Sequence, residues 1–322
     1  MRQVEFLYGS WSVFNDMKNV LLIINPRAGK TKAKSALFDI IDVFTENDMR
    51  VTVEITKYSG HAGDICKYVP GETDLVVCVG GDGTLNEVID GMIESGKNIP
   101  IGYIPAGSTN DFATTLKLSK DIKKAALDIA KGVEKCIDVG RFDDRHFTYV
   151  ASFGAFTRSS YSAPQSVKNV LGHLAYVLQG IQDIPSIKAE HARIVCDDGT
   201  TYEDDYIFGA VANSTSVGGI ISFKEALVSM NDGKFELLLI KKPKNIVELN
   251  KCINALLTQN YSCDSILFSN IRSAVFDFEG SITWSLDGER ADTDGHVKIS
   301  NIKHAVNMIL PKASESIALL SN

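Results

Sequence analysis

The segment LVVCVGGDGTLNEV, residues 75–88, constrains the fold of this chain more than any other. Five apolar residues run directly into two glycines, an aspartate, a third glycine and a threonine, and a helical pattern resumes near Leu85. A strand so uniformly apolar is buried on both faces, as in parallel sheets covered by helices. Between strand and helix, GGDGT (80–84) is expected to curl so that its N–H groups face one concavity at a helix N-terminus, a geometry that binds phosphate. Gly80, Gly81 and Gly83 would permit positive φ and close approach, Thr84 offers a hydroxyl, and Asp82 brings a carboxylate that belongs beside phosphates if Mg2+ lies between them. The bland reading of the same residues is a strand-to-helix turn with a threonine N-cap.

The surroundings extend this pattern. Apolar strands VLLII (20–24), VTVEIT (51–56), LVVCV (75–79) and IPIGYIP (99–105) alternate with amphipathic stretches at 32–48, 61–69, 85–95 and 121–132. Such alternation predicts an α/β unit, a parallel sheet with helices on both faces that binds ligand beyond the carboxyl ends of its strands. NPRAGK (25–30) follows the first strand and IPAGSTNDFATTL (104–116) runs on from the fourth. Three glycine-bearing loops on one sheet edge form a nucleotide pocket. It is not a P-loop, because Ile24 stands where that pattern needs glycine, and no GxGxxG with a suitable acid appears.

From residue 141 the texture changes to β-branched and aromatic runs separated by DDGT, NDGK and LDGE turns, predicting mostly antiparallel strands. Helical patterns interrupt at 166–184 and 244–260; the first is an apolar stripe suited to a membrane surface, an acyl-chain groove or core packing. With 322 residues the chain suits two domains, divided here at 17–140 and 141–310, with 1–16 expected as a disordered extension and 311–322 as a tail able to pack on the first. The net charge of −7 opposes general nucleic-acid binding, although KLSKDIKK (117–124) and KKPK (241–244) are local basic clusters suited to anionic headgroups. The six scattered cysteines form no zinc or disulfide pattern, and nothing resembles a signal peptide or membrane span, so a cytoplasmic protein is expected.

GGDGTLNEV, then PAGSTNDFA, then SLDGE, in this order and spacing, resembles the soluble bacterial diacylglycerol kinase family, whose catalytic domain is shared with sphingosine and ceramide kinases. The resemblance covers nearly everything from Met17 onward and implies a phosphofructokinase-like N-terminal domain and a C-terminal β-sandwich, with ATP and lipid meeting between them. By motif matching, Asn25, Arg27 and Gly29 border the nucleotide, Thr56 lies near the adenine or phosphates, and Gly81 through Glu87, including Leu85, Asn86 and Glu87, contact phosphates. Ser108 stands where the family usually has threonine and keeps the hydroxyl. Asp82 and Asp111 match an Asp–water–Mg2+ network, the alternative for Asn110 and Asp111 being helix capping, as it is for Asn86 and Glu87.

The family places its catalytic base in WSLDGER, so Asp287 or Glu289 would take the acceptor proton, while Asp-Gly is equally good hairpin chemistry. NDGK resembles a second, structural Mg2+ site using Asp232 and the carbonyl of Lys234; Ser229 stands where an acidic ligand is expected, and an ordinary turn is the alternative. The resemblance thus implies an ATP- and Mg2+-dependent kinase converting diacylglycerol to phosphatidic acid, working peripherally at the inner membrane face, with a homodimer as the family's expectation. The rivals are an NAD kinase-like phosphotransferase, a kinase for another lipid alcohol, and a nucleotide- or lipid-binding regulator without turnover.

Overall fold

A computed structural model describes residues 17–31, 36–108, 110–154, 188–214, 216–217, 221–222, 228–261 and 263–312. The first half runs β1 (Lys18–Ile24), a 3-10 turn (Ala28–Thr31), α1 (Leu37–Thr45), β2 (Met49–Ile55), α2 (His61–Lys67), β3 (Leu75–Gly80), α3 (Asp82–Ser95), β4 (Ile101–Pro105), the short α4 (Asp111–Thr115) and α5 (Ile122–Ala130). The second half carries β5 (Val133–Phe142), β6 (Arg145–Phe147), β7 (Val150–Gly154), β8 (Glu190–Cys196), β9 (Thr201–Ala212) and the two-residue partners β10 (Ser216–Val217) and β11 (Ile221–Ser222). It ends with β12 (Phe235–Lys241), α6 (Ile246–Leu257), β13 (Ile266–Ile271), β14 (Ser273–Phe278), β15 (Ile282–Leu286), β16 (Glu289–Thr293) and β17 (His296–Leu310).

The first four strands are parallel in the order β2-β1-β3-β4, so the chain reverses its direction of winding between β1 and β3. Alternate side chains of β1 take opposite faces, as the two-residue period of a strand requires. Val20, Leu22 and Ile24 pack with Ile40 and Phe44 of α1 and Ala126 and Ile129 of α5. Leu21 and Ile23 pack with Leu85 and Val88 of α3 and Ala62 of α2. Helices therefore cover both faces, as the alternation predicts.

In the second half the paired strands are antiparallel, and Phe142, Phe153 and Phe276 surround the fully buried Trp284 at ring-centroid distances of 4.8–5.2 Å. Strand β17 joins the two halves. Its beginning pairs with β14 (Ile299 with Ala274), Met308 lies parallel to Ile101 of β4, and residues 299–302 and 306–310 pair with β5. Residues 140 and 141, where the sequence divides the chain, both lie inside β5. All six cysteines are free. The expectations for residues 1–16, for the helical stripe 166–184 and for the tail from 313 lie outside the described residues. Among the described residues no helix is long and apolar enough to cross a membrane.

Helices α2 and α3 touch through two glycines. A Cβ placed on Gly91 would sit 2.2 Å from the carbonyl oxygen of Gly63, and one on Gly63 would meet the Glu87 carbonyl at 3.0 Å. Gly91→Ala is expected to force these backbones apart at a cost of about 1–3 kcal/mol, read as a lower urea midpoint with an unchanged slope.

Candidate active site

Helix α3 begins earlier than the sequence suggests. The pattern places the strand end at Val79 and the helix start near Leu85, but β3 includes Gly80, Gly81 is the N-cap and Asp82, Gly83 and Thr84 form the first turn. An aspartate there complements the free N–H groups and positive pole of the helix, which offsets the low helix propensity of Gly83. Thr84 is consequently not the cap; its hydroxyl oxygen accepts a 2.9 Å bond from Asn25 Nδ2. Nor do Gly80, Gly81 and Gly83 adopt positive φ. At Gly80 glycine is required by crowding, since a Cβ there would lie 2.6 Å from the Thr84 side chain; a Cβ on Gly81 would lie 3.3 Å from the Gly107 Cα, and one on Gly107 only 2.6 Å from the Gly81 Cα.

Loops after β1, β3 and β4 leave the sheet at one level, since Ile24 aligns with Val79 and Val79 with Ile104. They latch to one another. Ala106 and Gly107 donate their N–H groups to the Gly80 carbonyl at 2.7 and 3.2 Å. Asn110, at φ 55°, makes no cap; its Oδ1 accepts from Gly107 N at 2.9 Å and its Nδ2 donates to the Gly107 carbonyl at 3.0 Å.

These loops enclose a cleft of about 460 Å3, within the range of small-molecule sites. It brings together ten of the residues singled out in the sequence: Asn25, Arg27, Gly29, Thr56, Gly81, Gly83, Thr84, Glu87, Ser108 and Glu289. Gly80, Asp82, Leu85, Asn86, Asp111 and Asp287 do not line it. Leu85 is core. Asn86 Oδ1 instead accepts the Thr148 hydroxyl at 2.9 Å, tying α3 to the second half. Glu87 does cap a helix, but not its own: its carboxylate accepts the N–H groups of Gly60 (2.7 Å) and Ala62 (3.3 Å) at the start of α2.

Asp82 and Asp111 are neighbours. The Asp82 carboxylate accepts the N–H groups of Asp111 at 2.9 Å and Phe112 at 3.3 Å. Burial raises the pKa of Asp82 despite these bonds, and burial together with the Asp82 charge pushes Asp111 up to about 6. Among the described residues no basic side chain forms an ion pair with either. Adjacent part-buried carboxylates lacking a counter-charge fit a divalent cation such as Mg2+. Because the folded pKa of Asp111 is raised, its stabilising contribution is complete below about pH 4 and is lost as pH rises through about 6. In cation-free protein, Asp111→Asn is therefore expected to flatten the decline in urea stability between those pH values, by on the order of 2 kcal/mol.

Asp287 and Gly288 occupy the two-residue turn joining β15 to β16, at φ 49° and 88°, the positive values that a tight Asp-Gly hairpin requires. The turn also aims a carboxylate inward. Asp287 is 7% exposed and accepts the N–H groups of Thr148, Tyr149 and Val150. Burial dominates and pushes it up to about 7, with those amides opposing and the Asp82 charge adding to the rise. Glu289, two residues on, is exposed and faces the cleft; a Cβ on Gly83 would lie 3.4 Å from its Oε1.

Asp232 and Lys234 form a closed turn, Lys234 N–H donating to Asp232 Oδ1 at 2.9 Å, while the Lys234 carbonyl accepts from Asn301 Nδ2 at 3.3 Å. These bonds are those of the turn alternative for NDGK. Sequence reasoning missed Lys57, Tyr58 and Ser59 in the cleft wall, though they directly follow Thr56. It also missed the 148–150 amides around Asp287, since backbone donors carry no sequence signature.

The diacylglycerol kinase catalytic domain model matches residues 19–142. The chain is 29% identical over 298 residues to the diacylglycerol kinase of Bacillus subtilis (strain 168), covering 92% of this chain and 97% of that protein. It is 31% identical over 236 residues to that of Staphylococcus saprophyticus subsp. saprophyticus, covering 72% and 75%. Of two solved chains from Bacillus anthracis str. Sterne, one aligns at 26% identity and TM-score 0.77 over 92% of this chain and 96% of that one. The other, a diacylglycerol kinase, shares the fold at 23% identity and TM-score 0.71 over 93% and 99%.

Proposed function

The chain belongs to the diacylglycerol kinase family, and from that membership we propose that it transfers the γ-phosphoryl group of ATP to the hydroxyl of diacylglycerol, giving phosphatidic acid and ADP. The observation that carries this reading is the meeting of three loop-borne glycine segments at the α3 N-terminus with the acid-bearing turn of the second half: Gly83 and Glu289 line one cleft, and Asp287 lies at the adjoining seam.

In this mechanism the free N–H groups of the first turn of α3 and the Thr84 and Ser108 hydroxyls receive the phosphate oxygens. Arg27 and Lys57, in the same wall, add positive charge. Asp287, with a pKa of about 7, is poised to accept a proton near neutral pH. As the acceptor oxygen bonds to the γ-phosphorus and the bridging P–O bond breaks towards ADP, the hydroxyl proton passes to Asp287. Glu289, on the exposed side of the same turn, orients the reacting groups. Mg2+, when bound through Asp82 and Asp111, would neutralise phosphate charge; Asp232 and Lys234 enter the mechanism nowhere.

The acceptor is a lipid, so we propose peripheral contact with the cytoplasmic membrane face; a homodimer is compatible with the reading, and no step requires one. The test is a labelled-ATP assay offering diacylglycerol, sphingosine and NAD in parallel with Mg2+ present. Labelled phosphatidic acid from the first alone is expected. Transfer only to NAD would replace the reading with a soluble dinucleotide kinase.

A further inference from the structure

The first turn of α3 fixes the phosphate position, and residues 56–59 form a further part of the cleft wall. Tyr58 supplies the one aromatic ring among the described residues of that wall. It is 57% exposed, yet it is held from behind. Its hydroxyl donates to Asp64 Oδ2 at 2.9 Å, and its ring lies against His61 with centroids 4.5 Å apart. His61 is anchored in turn, its Nδ1 accepting the Lys57 N–H at 3.2 Å.

An exposed tyrosine on a loop ordinarily samples several rotamers, and ordering it on binding costs affinity. Here the ring is held by Asp64 and His61 before any ligand arrives, on the lining of the cleft. A fixed, amphipathic aromatic ring on the lining of a nucleotide-sized cleft suits a heteroaromatic base.

Resting on the kinase reading, we propose that Tyr58 is a specificity-determining residue on which the purine base of the phosphoryl donor stacks, pre-oriented by His61 and Asp64. Stacking reads ring area rather than edge pattern, because every base presents a π-face. The donor site accordingly prefers purine to pyrimidine triphosphates and discriminates weakly between adenine and guanine.

The test measures ATP and inorganic triphosphate binding by titration calorimetry, with ATP KM and kcat alongside, for the intact chain and for Tyr58→Ala and Tyr58→Phe. The alanine variant is expected to weaken ATP binding and raise its KM about tenfold, with inorganic triphosphate binding and kcat within about twofold. The phenylalanine variant, which keeps the ring and loses the Asp64 bond, is expected to fall within about threefold of the parent. Equal weakening of ATP and triphosphate in the alanine variant would show a displaced loop instead of a lost platform and overturn the proposal, as would unchanged ATP affinity. If the parent chain phosphorylates no lipid, the kinase reading fails while the calorimetric comparison still decides the role of Tyr58.

Discussion

Asp287→Asn is expected to lower kcat for phosphatidic acid formation by about a thousandfold while leaving the ATP KM within about threefold. The reasoning begins with the turn, not the family. An Asp-Gly hairpin needs no buried carboxylate, since aspartate in such turns usually faces water; here the side chain is buried and its charge is met by three backbone N–H groups. Asparagine is nearly isosteric and can still accept from Tyr149 and Val150, but it presents an amide N–H to one donor and has no basic oxygen to receive a proton. The pH profile supplies a second readout. With a pKa of about 7, the rate of the parent chain should rise about tenfold per pH unit below that value and level off above it, and the residual activity of the variant should lack that limb. A variant retaining turnover within tenfold of the parent would remove Asp287 from the chemistry and leave Glu289 as the candidate. Thermal unfolding of the same preparation separates lost chemistry from lost structure.

Gly107→Ala should be nearly as damaging, by a different route. Its new Cβ would lie 2.6 Å from the Gly81 Cα and 2.7 Å from Asn110 Oδ1, so one of two backbones must move. Either movement breaks the latch on which the phosphate end depends: the Gly80 carbonyl bonded to Ala106 and Gly107, or the Asn110 amide clasping Gly107. A misplacement of about 1 Å at a phosphoryl-transfer site costs on the order of a hundredfold. We therefore expect kcat/KM for ATP to fall about that far, with weaker ATP binding by calorimetry. Turnover within threefold of the parent would mean that the loops tolerate separation and that their backbone contact does not set the site.

Much of this was legible before any coordinates, and the reasons are specific. VLLII and LVVCV announce buried parallel strands because each must be covered on both faces, and the split of Val20, Leu22 and Ile24 from Leu21 and Ile23 bears that out. The loop chemistry was read less well. Glycines 80 and 81 invite an argument from φ, whereas Gly80 is constrained by the Thr84 side chain and Gly81 by the approach of Gly107 in a second loop, about 25 residues on in sequence, that no local pattern discloses. Glu87 looked like a residue of its own helix and turned out to cap another. The environment of Asp287 was invisible because its partners are main-chain amides. Tyr58 carries a signal of its own, an aromatic two residues after Thr56 in the loop that follows β2.

The last strand has a consequence for how the polypeptide is made. Residues 296–310 supply the neighbour of β4 and the long partner of β5, so the sheet that carries the nucleotide loops lacks one of its strands until those residues have been made. Contacts of such sequence separation form slowly. Until β17 emerges, the nascent chain presents an open edge at Ile101, and the nucleotide sheet is completed only when a strand from the far side of the second half docks there.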